Sequence, residues 1–139
     1  MTQKEASARS SCPISCALDL LGDRWTLLVV RDLLLRGRRH FEHFASDESI
    51  ATNILADRLE RLEDAGVLTK HRDPDDGRRR LYAPTPRGVD LIPTLLEIGL
   101  WGDQHTEYGQ ANALLLRRTR SDRDALVAEL REQALNPSE

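Results

Sequence analysis

The stretch IATNILADRLERLEDAGVL, residues Ile50 to Leu68, reads as a single helix with two unlike faces. Leu55, Leu59 and Leu62 recur at steps of four and three, so at about 3.6 residues per turn they stack into one core-facing stripe. Asn53, Asp57, Glu60 and Asp64 point the other way, with Thr52 and Ala56 on one flank and Ile54, Arg58 and Arg61 on the other. Gly66 ends the helix, because an Ala65-Gly66 step ahead of Val67-Leu68 suits a left-handed C-cap that turns the chain straight into a strand. At the front Ala51 is a poor N-cap, which makes Thr52 the expected cap.

Upstream, Ser46 to Ser49 is a polar break of the length a helix-turn-helix needs, and Phe41 and Phe44 are spaced to share one face of a two-turn helix before it. Gly37 separates that helix from Trp25 through Leu35, where apolar residues on nearly every side mark a helix buried in mid-domain. Pro13, at a favoured first helical position, opens a short helix carrying Ile14, Ala17, Leu18 and Leu21, which Gly22 ends. Met1 to Ser11 is small and polar without a period and reads as a mobile tail.

Downstream, Val67 to Arg72 has strand character, Asp73-Pro74-Asp75-Asp76-Gly77 is dense in turn formers, and Arg80 to Ala83 returns as a second strand, which makes a hairpin with an arginine-rich tip. Thr85 then caps, with Pro86 behind it, one long amphipathic helix through Leu91, Ile92, Leu95, Leu96, Ile98 and Trp101, weakened at its far end by Gly99 and Gly102. Beyond a patch around Gly109 with no clear period, Ser121 and Asp124 form a capping signature for a last helix with a stripe of Leu126, Val127, Leu130 and Leu135. The expected fold is therefore mainly α with a small β-hairpin: a mobile tail at residues 1–11, a winged helix-turn-helix at 12–102 and a C-terminal helical extension at 103–139. The terminal helices have no place inside a minimal winged helix, which predicts that they form the interface of a homodimer.

At 139 residues the chain has the size of one domain, and its 31% charged and 4% aromatic content suits a small helical protein. A net charge of −3 argues against indiscriminate coating of nucleic acid, so the local clusters carry the argument: Arg36, Arg38, Arg39 and His40; Arg78 to Arg80; and Arg117, Arg118 and Arg120. Cys12 and Cys16 cannot make a disulfide framework, and no apolar run is long enough for a signal peptide or a membrane span, which points to the cytoplasm. The four histidines and two cysteines fall in no metal-ligand spacing, and no phosphate loop or hydrolase elbow is present. Neither a metal, a cofactor nor an enzymatic activity is expected.

In order and spacing, Cys12-Pro13, Gly22-Asp23-Arg24-Trp25, Arg39-His40-Phe41 with Phe44, IATNILADRL at Ile50 to Leu59, and Tyr82 through Thr85 to Gly88 resemble the HxlR-type winged-helix transcriptional regulators, a branch close to the MarR regulators. The resemblance covers roughly residues 12–102. Ser49 stands where that family commonly has glycine, His43 where it has glutamate, and Pro84 where it has leucine. The first two are expected to alter the turn and the bracing of the helix before it, and Pro84 to shorten the hairpin by removing an amide.

The resemblance implies a homodimeric regulator, most simply a repressor, that reads an inverted repeat in double-stranded DNA. The front of the Ile50–Leu68 helix then enters a major groove, which brings Thr52, Asn53 and Ala56 nearest the bases and leaves Arg58 and Arg61 for phosphates. Asparagine can pair with both edge groups of adenine, although the bland alternative for Asn53 is capping of the first turn, and for Arg58 an ion pair with a nearby carboxylate. Arg78, Arg79 and Arg80 at the hairpin tip suit a minor groove and its phosphates, and Arg39 is a candidate for the same backbone unless it stays solvated. Cys12, at a helix start where the dipole favours the reactive thiolate, is the candidate for sensing a redox or electrophilic effector, against the alternative of an inert thiol. The competing reading of the whole chain is a winged helix used as a protein–protein adaptor, which the acidic outer face of the Ile50–Leu68 helix would suit.

Overall fold

The computed structural model describes residues 10–107 and 113–137, so the expected tail up to residue 9 and most of the patch around Gly109 lie outside the described residues. Helix α1 spans Pro13–Leu21 and α2 Thr26–Leu34. Helix α3, Thr52–Asp64, leads into the antiparallel hairpin of β1, Leu68–Arg72, and β2, Arg80–Pro84. Four helices follow: α4 Pro86–Val89, α5 Ile92–His105, α6 Ala113–Ser121 and α7 Arg123–Leu135. This is the mainly helical architecture with one small hairpin that the sequence predicts.

One core holds these elements together. Val29, Val30 and Leu33 of α2, Leu55, Leu59 and Leu62 of α3, Leu68 and Tyr82 of the hairpin, and Ile92 and Leu96 of α5 bury together. Each fully buried leucine or isoleucine removes enough apolar surface to contribute about 1.5–3 kcal/mol relative to exposure. Leu126, Leu130 and Ala134 of α7 belong to the same cluster, Leu126 being only 2% exposed. The C-terminal stripe expected to wait for another subunit is thus largely covered within its own chain.

Several local expectations are revised. Thr52 is the first helical residue rather than the cap, and Ala51 is the N-cap with an extended backbone and no side-chain hydrogen bond. The two-turn helix at Phe41 is instead two short 3-10 helices, Phe41–His43 and Ser46–Glu48, because Ala45 between them has a φ of +50°. Pro84 does not shorten the hairpin: it pairs with Leu68 as the last residue of β2, and the Thr85 amide continues the pairing by donating to the Val67 carbonyl at 3.1 Å. The helix expected from Pro86 to Trp101 is broken at Asp90 and Leu91 into α4 and α5, and Pro93, which has no amide to give the turn before it, sits in the first turn of α5, where a proline is tolerated. Gly99 and Gly102 do not fray α5, which runs to His105. Asp122, not Ser121, is the N-cap of α7, and α6 was not visible in the periodicity.

Candidate nucleic-acid interface

The end of α3 sets the angle between the expected reading helix and the hairpin. Gly66 at φ +77° lets its amide reach the Glu63 carbonyl and the Val67 amide reach the Leu62 carbonyl, both at 3.0 Å. This is the left-handed stop expected from the sequence. Thr85 locks the other side, donating its hydroxyl to the Gly66 carbonyl at 2.5 Å, with the Val67 carbonyl at 3.1 Å, and accepting from the Gly88 amide at 3.0 Å as the cap of α4. Gly88 has no alternative there, since a Cβ would lie 2.1 Å from the Val67 oxygen.

With Leu55, Leu59 and Leu62 buried, Thr52, Asn53 and Ala56 lie exposed on the outer face of the first turns of α3. Asn53 caps nothing, and its side chain makes no hydrogen bond to the described residues. Glu60 and Asp64 are also exposed, further along the helix.

The arginines divide sharply. Arg58 donates from Nε to Asp23 Oδ2 at 2.8 Å and also pairs with Asp57, so the alternative of an ion pair is what the structure shows. Arg61 reaches back to the Asp19 carbonyl at 3.0 Å, near the end of α1. Arg39 turns inward and donates to the carbonyls of Leu33 at 2.7 Å, Arg38 at 2.9 Å and Ala134 at 3.3 Å. Burial pushes its guanidinium below the ordinary arginine value. Within the fold these three guanidiniums brace one element against another.

Asp23 shows what such a strut does. Its carboxylate accepts from the Trp25 and Thr26 amides at 3.0 and 3.2 Å, from the Thr26 hydroxyl and from Arg58, tying the start of α2 to α3. Partial burial opposes ionisation, but the hydrogen bonds from Arg58, Thr26 and Trp25 outweigh it and hold the carboxyl well below the usual range. Asp32 is a second hub. Fully buried, it accepts from Arg31 Nε at 2.9 Å, Arg36 at 3.2 Å, Arg38 at 3.4 Å and the Ala45 amide at 2.6 Å, which fixes the turn before α3. The first basic cluster of the sequence is therefore largely consumed in building the helix-turn-helix.

The hairpin keeps its cations in solvent. Arg78 is 93% exposed beside Asp76, and Arg80 is exposed with no acidic partner among the described residues. Arg79 instead pairs with Glu42 of the first 3-10 helix. The sequence reading missed two residues on β1, Lys70 and Arg72, both exposed and without an acidic partner among the described residues. Arg72 pairs with Arg80 across the ladder, a juxtaposition of like charge that an anion would relieve. Strand alternation across the turn was the available signal for it.

Cys12 is an exposed free thiol at the N-cap of α1, and Cys16 is half-buried with its thiol directed at the Ser10 carbonyl, 3.5 Å away. Among the described residues no group of three His, Cys, Asp or Glu side chains converges on a metal position. No described helix is long and apolar enough to cross a membrane.

A helix with an exposed polar front, a left-handed stop and a cationic hairpin define a winged helix-turn-helix. Comparison with known proteins agrees, and residues 20–110 match the model of the HxlR-like helix-turn-helix family, to which the chain belongs. An HTH-type transcriptional regulator of Mycobacterium tuberculosis is 32% identical over 101 residues, covering 73% of this chain but 63% of its own length. YodB of Bacillus subtilis, also an HTH-type transcriptional regulator, is 30% identical over 99 residues, 70% of this chain and 88% of its own. Its reduced form superposes with a TM-score of 0.56 at 29% identity, over 70% of this chain and 97% of YodB, and a diamide-treated form has also been solved. PA1607, a candidate transcription factor, gives a TM-score of 0.66 at 34% identity, with 74% of this chain and 71% of PA1607 covered.

Proposed function

We propose that this chain is a homodimeric, sequence-specific DNA-binding repressor whose α3 enters the major groove. The observation that carries the reading is the front of α3, where Thr52, Asn53 and Ala56 stand exposed side by side, with the Asn53 amide unspent, on a helix fixed from behind by three buried leucines. Asn53 reads an adenine edge, and the methyls of Thr52 and Ala56 favour thymine. The phosphate contacts come from Arg78 and Arg80 and, beyond the sequence reading, from Lys70 and Arg72; Arg39, Arg58 and Arg61 position the elements instead. Selection of bound duplexes from a random pool should return an inverted repeat, and binding should weaken steeply with salt. Failure to enrich any sequence, with binding insensitive to salt, would instead favour the protein–protein adaptor that the exposed Glu60 and Asp64 would suit.

The dimer is read from apolar surface left uncovered. Ile14 and Leu18 of α1, Ile98 and Trp101 of α5 and Leu114 of α6 are exposed, Trp101 by 63%. Trp101 and Ile98 also line a surface groove of about 410 Å³ with Glu97, Leu100 and Gln104. Burying such side chains against a second copy is the ordinary use of a patch of this kind.

Cys12 is the proposed sensor of electrophiles, on the strength of its exposure at the start of α1, beside the proposed interface. The solved diamide-treated form of YodB makes diamide the reagent of choice. Cys12→Ser should bind the selected duplex normally and lose any response to diamide. A wild-type protein that binds equally well before and after diamide would make the thiol structural.

A further inference from the structure

The hairpin is strapped to the segment that precedes α3 at four places. The Tyr82 amide donates to the Arg39 carbonyl at 2.8 Å, and His40 bridges to Leu81 through the backbone. The His40 ring lies 2.8 Å, Nε2 to Oδ2, from Asp73, whose other oxygen accepts the Asp75 amide at 2.8 Å at the root of the turn. Glu42, two residues on from His40, completes the set by pairing with Arg79. The first three contacts fix where the hairpin sits, and the fourth does something different. Its partners are both accessible, Glu42 by 55% and Arg79 by 38%, so the pair lies where a ligand can compete for it.

We propose that Glu42 occupies Arg79 in the manner of a backbone phosphate, withholding that arginine from DNA of arbitrary sequence. Glu42 thereby becomes a specificity-determining residue that lowers non-specific affinity, while Arg78, Arg80, Arg72 and Lys70 remain available. The inference rests on the DNA-binding reading given above. A carboxylate presents two oxygens to a guanidinium much as a phosphate does, so the two are direct competitors for one fork of donors. The competition favours Glu42 because it is already in place: the three neighbouring contacts hold its segment against the hairpin, so little ordering entropy remains to be lost. The Glu42 carboxyl is also held below its usual range, first by its own backbone amide and then by Arg79, which together outweigh the desolvation that opposes them. A charge pair in water is weak taken singly, and such weakness suits a gate on non-specific binding, since a well-registered duplex can still displace it.

The test is a salt titration on random-sequence duplex with four proteins: wild type, Glu42→Gln, Arg79→Ala and the double variant. Glu42→Gln is expected to steepen the slope of log K against log salt by about 1.8, one phosphate for each subunit of the proposed dimer, and to tighten binding on the order of a hundredfold at about 50 mM salt. Arg79→Ala alone should leave the wild-type slope unchanged, and the double variant should match it. An Arg79→Ala protein with a flattened slope would show that Arg79 already contacts random DNA, which overturns the proposal. So would a Glu42→Gln effect that persists in the Arg79→Ala background, since Glu42 would then act as diffuse negative charge. A Glu42→Gln protein that melts like wild type with an unaltered slope has the same consequence. Failure of the underlying reading looks different, because wild type itself would then show no salt-dependent binding.

Discussion

At Asn53 the side chain is spent on nothing within the fold, whereas a few residues away Arg58 and Arg61 are fully engaged. On the proposed function, that contrast separates reading from bracing. Asn53→Ala should relax preference at one or two operator positions at a cost of about 1–3 kcal/mol, with random-sequence affinity unchanged; equal losses on both duplexes would remove Asn53 from base reading. Asp23 belongs to the bracing set, and its depressed pKa makes a pH prediction. The folded carboxyl ionises below the ordinary aspartate value of about 3.9, so its contribution is fully present above that pH and is lost as pH falls through the folded value. Asp23→Asn should therefore lower stability at neutral pH and reduce the loss of stability below about pH 4. Chemical denaturation at pH 7 and at low pH checks both parts. Composition could not have sorted the arginines, because which guanidinium finds a carbonyl or carboxylate depends on contacts such as Arg39 to Ala134, 95 residues apart.

At the scale of elements, the sequence was most legible where a local rule acts alone. The leucine stripe of α3, the Gly66 stop and the Thr85 cap are each decided by a few neighbouring residues, and all three appear as expected. It was least legible between Phe41 and Ser49, where apolar spacing suggests a helix but tertiary contacts decide otherwise. Asp32 accepts the Ala45 amide and holds Ala45 at φ +50°, while Phe44 packs edge-to-face on Tyr82 with ring centroids 5.7 Å apart. Ser49, at φ +58°, then turns the chain into the loop before α3. An L-residue pays roughly 1–2 kcal/mol in that conformation and glycine does not, although glycine loses more entropy on folding. Ser49→Gly is accordingly expected to stabilise the protein by about 0.5–1 kcal/mol, read as a higher denaturant midpoint at constant slope. A lower midpoint would mean that the serine makes contacts in solution that offset its backbone cost.

For the whole molecule the decisive fact is where the apolar surface of the C-terminal part goes. Leu126, Leu130 and Ala134 pack on the same core as α2 and α3, and Arg131 pairs with Asp90 at 2.8 Å just after α4. Helix α7 is thus a wall of the monomer, a role that periodicity alone could not reveal, because a stripe states that it is buried and not by whom. Truncation after Arg120 should consequently destabilise the fold itself, lowering the melting temperature and exposing core surface, rather than release a well-folded monomer. The interface is expected instead on α1 and α5. A Leu18→Glu/Trp101→Glu variant should keep its far-ultraviolet spectrum, because both side chains are already exposed, yet sediment as a monomer at low micromolar concentration. Two copies related by a two-fold axis would place their α3 helices on half-sites about one helical turn apart, roughly 34–36 Å. The same variant should therefore lose far more affinity for the full inverted repeat than for an isolated half-site. If it sediments as a dimer and binds the full repeat normally, the uncovered residues of α1 and α5 do not hold the two copies together.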